Sequence, residues 1–539
     1  MRTLCAALLV AGFGMFAFGC KKRAQPAPEG SLQEPTGPAV TLPAAVGDRG
    51  ATPGGKATAA TAPVDATGHI DYAAALNERL SKGVTPATNA NVGIWQAFGP
   101  AAPSGEKLPP GMFEKLGIAT PPATGDYFVG LQAYCAQNAP GQEAASGDAL
   151  GRLAGRPWKS DENAVLAGWL AANEKPLAAL REAVKRPHYY NPLIPEQGEK
   201  GSKGLLTALL PSLKPCREVA SAFACRAMLN LGQNRPDEAW QDLLACHRLA
   251  RLVGRGGALI EGLVGMATEV IACRAEIAYL DRAGLDAKGV EKCLRDLAAL
   301  PPMAQVADKL DLCERYMFLD IIAQIRHQGL GYLQAHAGEG KLQDGLAEWV
   351  LDGIDWTPAA ENANKWFDRL AACAREPTRA ARVQKLAEFR TDVVALKAKA
   401  TDFSHLAQML RDKNYSGKAK GEAVGDILIS MLLPAAPKVM DAGDRARQTF
   451  DTVAVAFALT WYHRVNGRYP DSLAKLAPKY LTVVPIDLFS GKELIYKPDA
   501  NGFLLYSVGV NVTDDGGRAY DSQPPGDDIA VRIPLPQKP

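Results

Sequence analysis

The sequence predicts a mainly α-helical protein, in which an irregular helical array is followed by a small α+β module with an antiparallel sheet. Between residues 163 and 399, apolar residues recur at three- and four-residue spacing, as in helices that bury one stripe. Gly and Pro clusters interrupt these segments, and short connections between helices favour antiparallel hairpins. Near the C-terminus the pattern changes to short alternating runs, which are typical of strands.

Length and charge limit the kinds of protein that this chain can be. The chain has 539 residues, of which 47% are hydrophobic and 22% charged, so we expect a globular protein with more than one folded unit. Lys and Arg number 60 against 58 Asp and Glu, which gives a formal net charge of +2. This balance provides no general electrostatic attraction to nucleic acid, and we expect no nucleic-acid partner.

The N-terminus is typical of a secretion signal. Arg2 precedes an uncharged apolar run over residues 4–18, which is shorter than the roughly 20 residues of a membrane-spanning helix. The run ends in AFGC (17–20), which resembles the lipobox of bacterial lipoproteins. The resemblance implies a signal peptide over residues 1–19 and fatty acylation, such as palmitate, on Cys20. An ordinary signal peptide that contains a cysteine is the alternative.

Residues 20–70 are predicted to be a disordered tether. They are rich in Pro, Ala, Gly and Thr, so they cannot bury enough apolar surface to offset the entropy lost on ordering. Lys21, Lys22 and Arg23 would lie against lipid headgroups and strengthen membrane attachment. Lys21 in place of Asp also favours the outer membrane under the sorting rule of some Gram-negative bacteria. We therefore expect a lipid-anchored envelope protein that faces the periplasm or the cell surface.

A helical domain is predicted over residues 71–435, with an irregular N-terminal lobe at 71–135. The clearest periodic segments are Asn163–Ala172, Lys175–Lys185, Arg217–Leu231, Pro236–Val253, Leu259–Arg282 and Val383–Lys399. One connection, Leu231-Gly232 followed by Glu238-Ala239, resembles the inner part of a tetratricopeptide unit. The pattern does not recur at about 34 residues, which favours a single hairpin over a tandem array. Helical arrays present extended faces, so we expect other envelope proteins as partners.

The cysteines allow two interpretations. Beyond the signal region they lie at positions 135, 216, 225, 246, 273, 293, 313 and 373. An even count in an exported protein favours disulfides, and Cys225 and Cys246 flank one helical turn at nearly matching heights. Cys273 with Cys293, or Cys293 with Cys313, are similar options. The other interpretation is that most of them are buried, reduced thiols that act as small core residues.

No catalytic motif emerges from the sequence. HExxH, GxSxG and GxxxxGK[ST] are absent, and the seven histidines are scattered. The glycines of GRGG (254–257) precede a helix but lack the strand and lysine of a phosphate-binding loop, which favours a plain turn. The sequence therefore favours a non-enzymatic protein. An envelope hydrolase, with its site between the helical domain and the C-terminal module, is the alternative.

The α+β module is predicted over residues 436–539. Apolar residues in Ala446–Trp461 keep helical spacing, and Gly467 can adopt the left-handed conformation that ends a helix. An Asn-Gly pair at 501–502 indicates a hairpin. The predicted strands are Glu493–Lys497, Phe503–Val508 and Ile529–Ile533.

The module also carries a set of motifs in a fixed order. They are GRYP (467–470), Pro485, Asp487, LYS (505–507) and the acidic pair at 527–528. This order resembles the globular half of type II secretion pseudopilins. The resemblance implies a sheet packed on a long helix, and it suggests an accessory role at a secretion apparatus as a further alternative function.

The resemblance also implies a Ca²⁺ site, since major pseudopilins bind Ca²⁺ in the loop before the last strand. Ca²⁺ takes roughly six to eight oxygen ligands. The candidate ligands here are Asp514, Asp515, Asp527 and Asp528, with Ser507 or backbone oxygens completing the shell. A flexible, solvated acidic loop is the alternative. The sequence thus predicts a lipid-anchored, non-enzymatic envelope protein with a helical protein-binding scaffold and a C-terminal recognition module.

Overall fold

The computed structural model describes most of the chain beyond residue 70. The described residues are 38–43, 63–64, 70–198, 201–329, 332, 353–400, 412, 415–432, 436–520 and 522–536. The predicted signal peptide, Cys20 and most of the predicted tether lie outside the described residues.

The predicted fold class is confirmed. The structure is 58% helical, and a three-stranded antiparallel sheet lies near the C-terminus. In the described part the helices are α1 (Tyr72–Ser81), α2 (Ala90–Phe98), α3 (Met112–Lys115), α4 (Leu131–Asn138), α5 (Glu143–Leu153), α6 (Ala164–Ala172), α7 (Glu174–Ala183), α8 (Leu213–Gly232), α9 (Pro236–Gly254), α10 (Leu259–Arg282), α11 (Ala287–Ala298), α12 (Val306–Lys309), α13 (Arg315–Gln328), α14 (Thr357–Ala374), α15 (Arg379–Ala400), α16 (Gly417–Leu432) and α17 (Ala436–Asn466).

The centre of the helical body is a three-helix layer of α8, α9 and α10, which all contact one another. The first two form the hairpin predicted from the sequence. Gly232 at its corner allows a close approach, because a Cβ atom there would lie 2.0 Å from the carbonyl oxygen of Trp158. The indole of Trp158 is buried and donates a hydrogen bond to the Cys225 carbonyl oxygen at 3.0 Å. This contact fixes the preceding segment on the hairpin.

A second apolar cluster lies in α13 to α16. Its aromatic residues include Phe318, Trp366, Phe367 and Phe389, and the Trp366 and Phe389 rings meet edge to face at 5.3 Å. A π-helical turn at Leu310–Glu314 joins α12 to α13. In the described part of the chain, no helix is both long enough and apolar enough to cross a membrane.

The C-terminal sheet has the order β3 (Ile495–Pro498), β4 (Phe503–Ser507) and β5 (Ile529–Ile533). Tyr506 pairs with Ile495 on one side and with Ala530 on the other. A separate short pair consists of β1 (Gln197–Gly198) and β2 (Gly201–Ser202).

Helix α17 connects the sheet to the helical body. Every residue from Val453 to Leu459 is buried, because this stretch is apolar on all sides and packs against the sheet and against α10 and α11. The helix ends at Asn466, and Gly467 follows with a φ of 71°. Residues of the helical body and of the C-terminal module belong to one continuous apolar core.

Candidate functional sites

The loop between β4 and β5 gathers three carboxylates. Oxygens of Asp515, Asp527 and Asp528 all lie within 4.8 Å of one another. Burial, and then the charges of Asp515 and Asp514, raise the pKa of Asp528 above its usual range, although backbone hydrogen bonds oppose the rise. Like charges at such distances favour a proton or a cation between them.

Backbone amides hold these carboxylates in place. Gly517 N–H donates to Asp528 Oδ2 at 2.7 Å, and Asp527 N–H donates to Asp515 Oδ2 at 3.1 Å. Arg445 of α17 forms an ion pair with Asp527 Oδ2 at 2.8 Å, which ties the loop to the long helix. The other oxygen of Asp527 is buried and accepts no hydrogen bond from the residues described. The three carboxylates could therefore serve as ligands for a hard cation.

Two other predicted ligands have different partners. Asp514 Oδ1 accepts hydrogen bonds from the Tyr506 hydroxyl and the Gly516 amide, both at 2.8 Å. Ser507 Oγ donates to Asp487 Oδ1 at 2.7 Å. The structure thus brings together Asp515, Asp527 and Asp528, whereas Ser507 belongs to a hydrogen-bonded turn around Asp487.

Cys225 and Cys246 are free thiols, in place of the disulfide that the hairpin heights suggested. All eight cysteines of the described part are free and buried. Cys246 Sγ lies 3.7 Å from the Ala220 carbonyl oxygen and 3.8 Å from that of Thr268. The Cys246 thiol therefore points at backbone carbonyl groups of α8 and α10. A thiol can donate its S–H to such a group, whereas a disulfide sulfur has no hydrogen to donate. Burial raises the pKa of Cys225 to about 12, which suppresses the reactive thiolate.

A buried polar cluster, which the sequence reasoning missed, lies between α9 and α10. We call it the core polar cluster; it consists of His247, Arg251, Glu269 and Glu276, all of which are at most 2% exposed. His247 Nδ1 lies 3.0 Å from Glu269 Oε1, and Nε2 lies 2.9 Å from Glu276 Oε1. Arg251 donates to both oxygens of Glu269, with Nε 3.0 Å from Oε2 and Nη2 2.5 Å from Oε1.

Mutual attraction offsets the burial of His247 and Glu269. Burial alone would lower the pKa of His247, but the negative charges of Glu276 and Glu269 outweigh it and raise this pKa to about 9. Burial would raise the pKa of Glu269, but Arg251 and His247 lower it to about 2. His247 and Glu269 thus stabilise each other's charged form. Phe450 of α17 covers them, with the Arg251 guanidinium 4.7 Å from its ring centroid.

Sequence spacing contained a signal for the core polar cluster. His247 and Arg251 are four residues apart on α9, and Glu269 and Glu276 are seven apart on α10, so each pair occupies one helix face. Charged residues on the apolar face of a predicted helix indicate a buried, paired network. Their partnership across two helices requires the packing of α9 on α10.

Comparisons of the chain with models of protein families, with curated proteins and with solved structures gave no match. The likeness to pseudopilins, to lipoprotein signals and to tetratricopeptide units therefore depends on the quoted residues alone.

Proposed function

We propose that this chain is a non-enzymatic, lipid-anchored protein of the bacterial envelope, whose helical body is a protein-binding scaffold and whose C-terminal module is a recognition head stabilised by Ca²⁺. The observation that carries the proposal is the convergence of Asp515, Asp527 and Asp528 within 4.8 Å. One of these carboxylates also retains a buried oxygen without a donor among the residues described.

The chemistry of the loop suits Ca²⁺ better than a softer metal. The three side chains offer only carboxylate oxygens, the hard ligands that Ca²⁺ prefers, and water and backbone carbonyls can supply the remainder. A bound divalent ion would offset the repulsion among the carboxylates. Since Arg445 joins Asp527 to α17, the ion would also fasten the loop to the module's long helix.

Exposed apolar side chains support a recognition role for the module. Four large ones lie on its loops: Val483 is 73% exposed, Ile486 52%, Val512 54% and Tyr520 71%. Val512 and Tyr520 belong to the same loop as the acidic cluster. Ordering that loop by Ca²⁺ would therefore also order two contact residues, so partner binding is expected to depend on Ca²⁺.

Thermal unfolding of the full chain tests the Ca²⁺ site. Millimolar Ca²⁺ is expected to raise the Tm because it binds the folded state, and the gain at a hundredfold excess over Kd is about 2.7 kcal/mol. Asp528→Asn should remove the Ca²⁺-dependent rise. Asp471→Asn is the matched control, since Asp471 is an exposed carboxylate of the same module that pairs with Lys475. An unchanged Tm in wild type, or the same rise in Asp528→Asn, would contradict the proposal.

In-cell crosslinking tests the recognition role. A photo-crosslinker at Tyr520 should capture an envelope protein in a Ca²⁺-dependent manner, whereas one at Val394, which is 65% exposed on α15, should not. Recovery of secretion-apparatus components would favour the accessory role over a general scaffold. Equal capture at both positions would argue against a specific head.

Cell fractionation tests the anchor. Cys20→Ser should move the protein from the membrane fraction to the soluble fraction and remove the acyl mass from its mature N-terminus, because the thiol is the proposed acylation point. Unchanged membrane association would contradict the lipid anchor.

The hydrolase alternative receives less support. Polar groups do meet near the junction of the body and α17, but His247, Glu269 and Glu276 are at most 1% exposed. Substrate cannot reach side chains so enclosed, so this cluster does not support the hydrolase alternative.

A further inference from the structure

A thiol accompanies the core polar cluster. Cys273 lies one turn after Glu269 on α10, and it is fully buried. One ligand atom each from His247, Glu269 and Cys273 lies within 4.8 Å of the other two. Imidazole nitrogen, carboxylate oxygen and thiol sulfur are thus brought together by two adjacent helices.

The cluster also contains buried polar atoms that the described protein leaves unsatisfied. His247 Nε2 and both carboxylate oxygens of Glu276 have no well-aligned hydrogen bond within the residues described, although Nε2 and Oε1 are only 2.9 Å apart. Buried polar groups nearly always have a partner, so each unsatisfied one needs an explanation. A small rotation of the imidazole would align Nε2 with Glu276.

We propose that this cluster is a buried site for a divalent transition-metal ion of the zinc class, with His247, Glu269 and Cys273 as its ligands. These are the ligand atoms that zinc prefers, and the ion would lie between His247 Nδ1 and Glu269 Oε1, which are 3.0 Å apart. Nδ1 is the ring nitrogen that faces Glu269, so Nε2–H remains to donate to Glu276. A metal-bound histidine commonly donates its second N–H to a carboxylate, which fixes the ring.

Charge balance within the loaded site favours this assignment. The two positive charges of the ion would be matched by the Glu269 carboxylate and by the Cys273 thiolate, whose proton leaves to solvent as the ion binds. The loaded set of ligands is therefore neutral, which avoids the large penalty of burying an unpaired charge.

The enclosure of the site determines how it can be loaded. Its ligands are at most 1% exposed, and Phe450 of α17 packs over His247 with ring centroids 5.9 Å apart. The ion must therefore enter before α17 docks on α9 and α10. This order makes the ion a structural one, which a chelator would remove slowly from the folded protein.

Refolding the full chain with Co²⁺ tests the site, because Co²⁺ bound to a thiolate has a characteristic charge-transfer absorption. We expect about one Co²⁺ per chain to survive a chelating column and to show this absorption, and we expect refolding with Zn²⁺ to raise the Tm. Cys273→Ser should abolish the absorption. Cys373→Ser, which alters a buried thiol of α14 in the second apolar cluster, should leave it unchanged.

Separate variants distinguish this site from the acidic loop and from misfolding. Asp528→Asn should retain the cobalt absorption, since the loop offers no thiolate. Glu276→Gln should retain it too but weaken metal affinity about 10- to 100-fold, the effect expected of a residue that orients a ligand. The proposal would be overturned if wild-type protein refolded with Co²⁺ showed no charge-transfer absorption. It would also be overturned if the absorption persisted in Cys273→Ser. The first of these outcomes concerns wild-type protein, so it holds even if a variant fails to fold.

Discussion

Gly232→Ala is the sharpest test of the packing at the helical hairpin. By helix propensity alone, alanine would be better than glycine by about 1 kcal/mol. The added Cβ, however, would lie 2.0 Å from the Trp158 carbonyl oxygen and 2.7 Å from its carbonyl carbon. These are backbone atoms, so no rotamer change relieves the clash, and the segment that carries Trp158 must move.

The magnitude follows from what that movement disrupts. The Trp158 backbone N–H donates to the Met228 carbonyl oxygen at 3.3 Å, and its indole donates to the Cys225 carbonyl oxygen at 3.0 Å. Each hydrogen bond contributes roughly 0.5–1.5 kcal/mol. Partial exposure of a buried indole adds a further part of the roughly 3–5 kcal/mol that its full removal costs. After subtraction of the propensity gain, we expect a net destabilisation of about 2–4 kcal/mol.

Urea denaturation of the full chain, followed by circular dichroism and tryptophan fluorescence, measures the effect. Gly147→Ala provides the control, because Gly147 is an exposed residue of α5 whose added Cβ meets nothing within 4 Å. That substitution should stabilise the helix by up to about 1 kcal/mol. The two glycines are thus predicted to respond with opposite sign. Equal or greater stability of Gly232→Ala relative to wild type would refute the packing argument.

Three further substitutions test other parts of the structure. Asp320 is buried, and burial raises its pKa from 3.8 to about 6, although the Leu205 amide donates a hydrogen bond to its carboxylate. The negative charge of Asp320 is therefore expected to destabilise the fold by roughly 3 kcal/mol above pH 6 and not below pH 4. Asp320→Asn should therefore gain stability relative to wild type as the pH rises from 4 to 6, and a gain independent of pH would contradict this cause. Asp242→Ala removes a buried carboxylate that accepts hydrogen bonds from two Arg226 nitrogens at 2.8 and 2.6 Å. It should lower the free energy of unfolding, measured in urea, by about 2–4 kcal/mol, a smaller loss than for a fully buried ion pair because Arg226 is partly exposed. Gly467→Ala forces a left-handed φ of 71° on alanine without a clash and should lower stability by about 1 kcal/mol, whereas a neutral result would mean that the helix end tolerates a different conformation.

Local patterns predicted the regular elements well. Leu259–Arg282 and Ile529–Ile533 form the helix and the strand that the sequence indicates, with the same bounds. Helical spacing, strand alternation and turn residues act over a few neighbouring positions, so a single sequence expresses them. Helix α8 starts earlier than predicted, at Leu213, because Pro215 lies within its first turn, where the missing N–H has no helical partner to lose.

Side-chain partnerships were predicted less well. Equal heights across the hairpin suggested a bridge between Cys225 and Cys246, but the direction of each thiol depends on how α9 packs on α8 and α10. The resemblance to pseudopilins pointed to the acidic loop, yet only the fold separates Asp515, Asp527 and Asp528 from Ser507, whose hydroxyl donates to Asp487. Which of these side chains contact one another depends on residues that are distant in the sequence.

The sequence by itself determined the helical class, the order of the main elements and the acidic character of the C-terminal loop, because these properties arise from local spacing and composition. Tertiary structure alone decided that α17 completes the core of the helical body and that His247, Glu269 and Cys273 converge. Burial and convergence are properties of surfaces that meet, and the meeting surfaces here are separated by tens to hundreds of residues of chain. No local pattern shows which other helix the buried face of a given helix will contact.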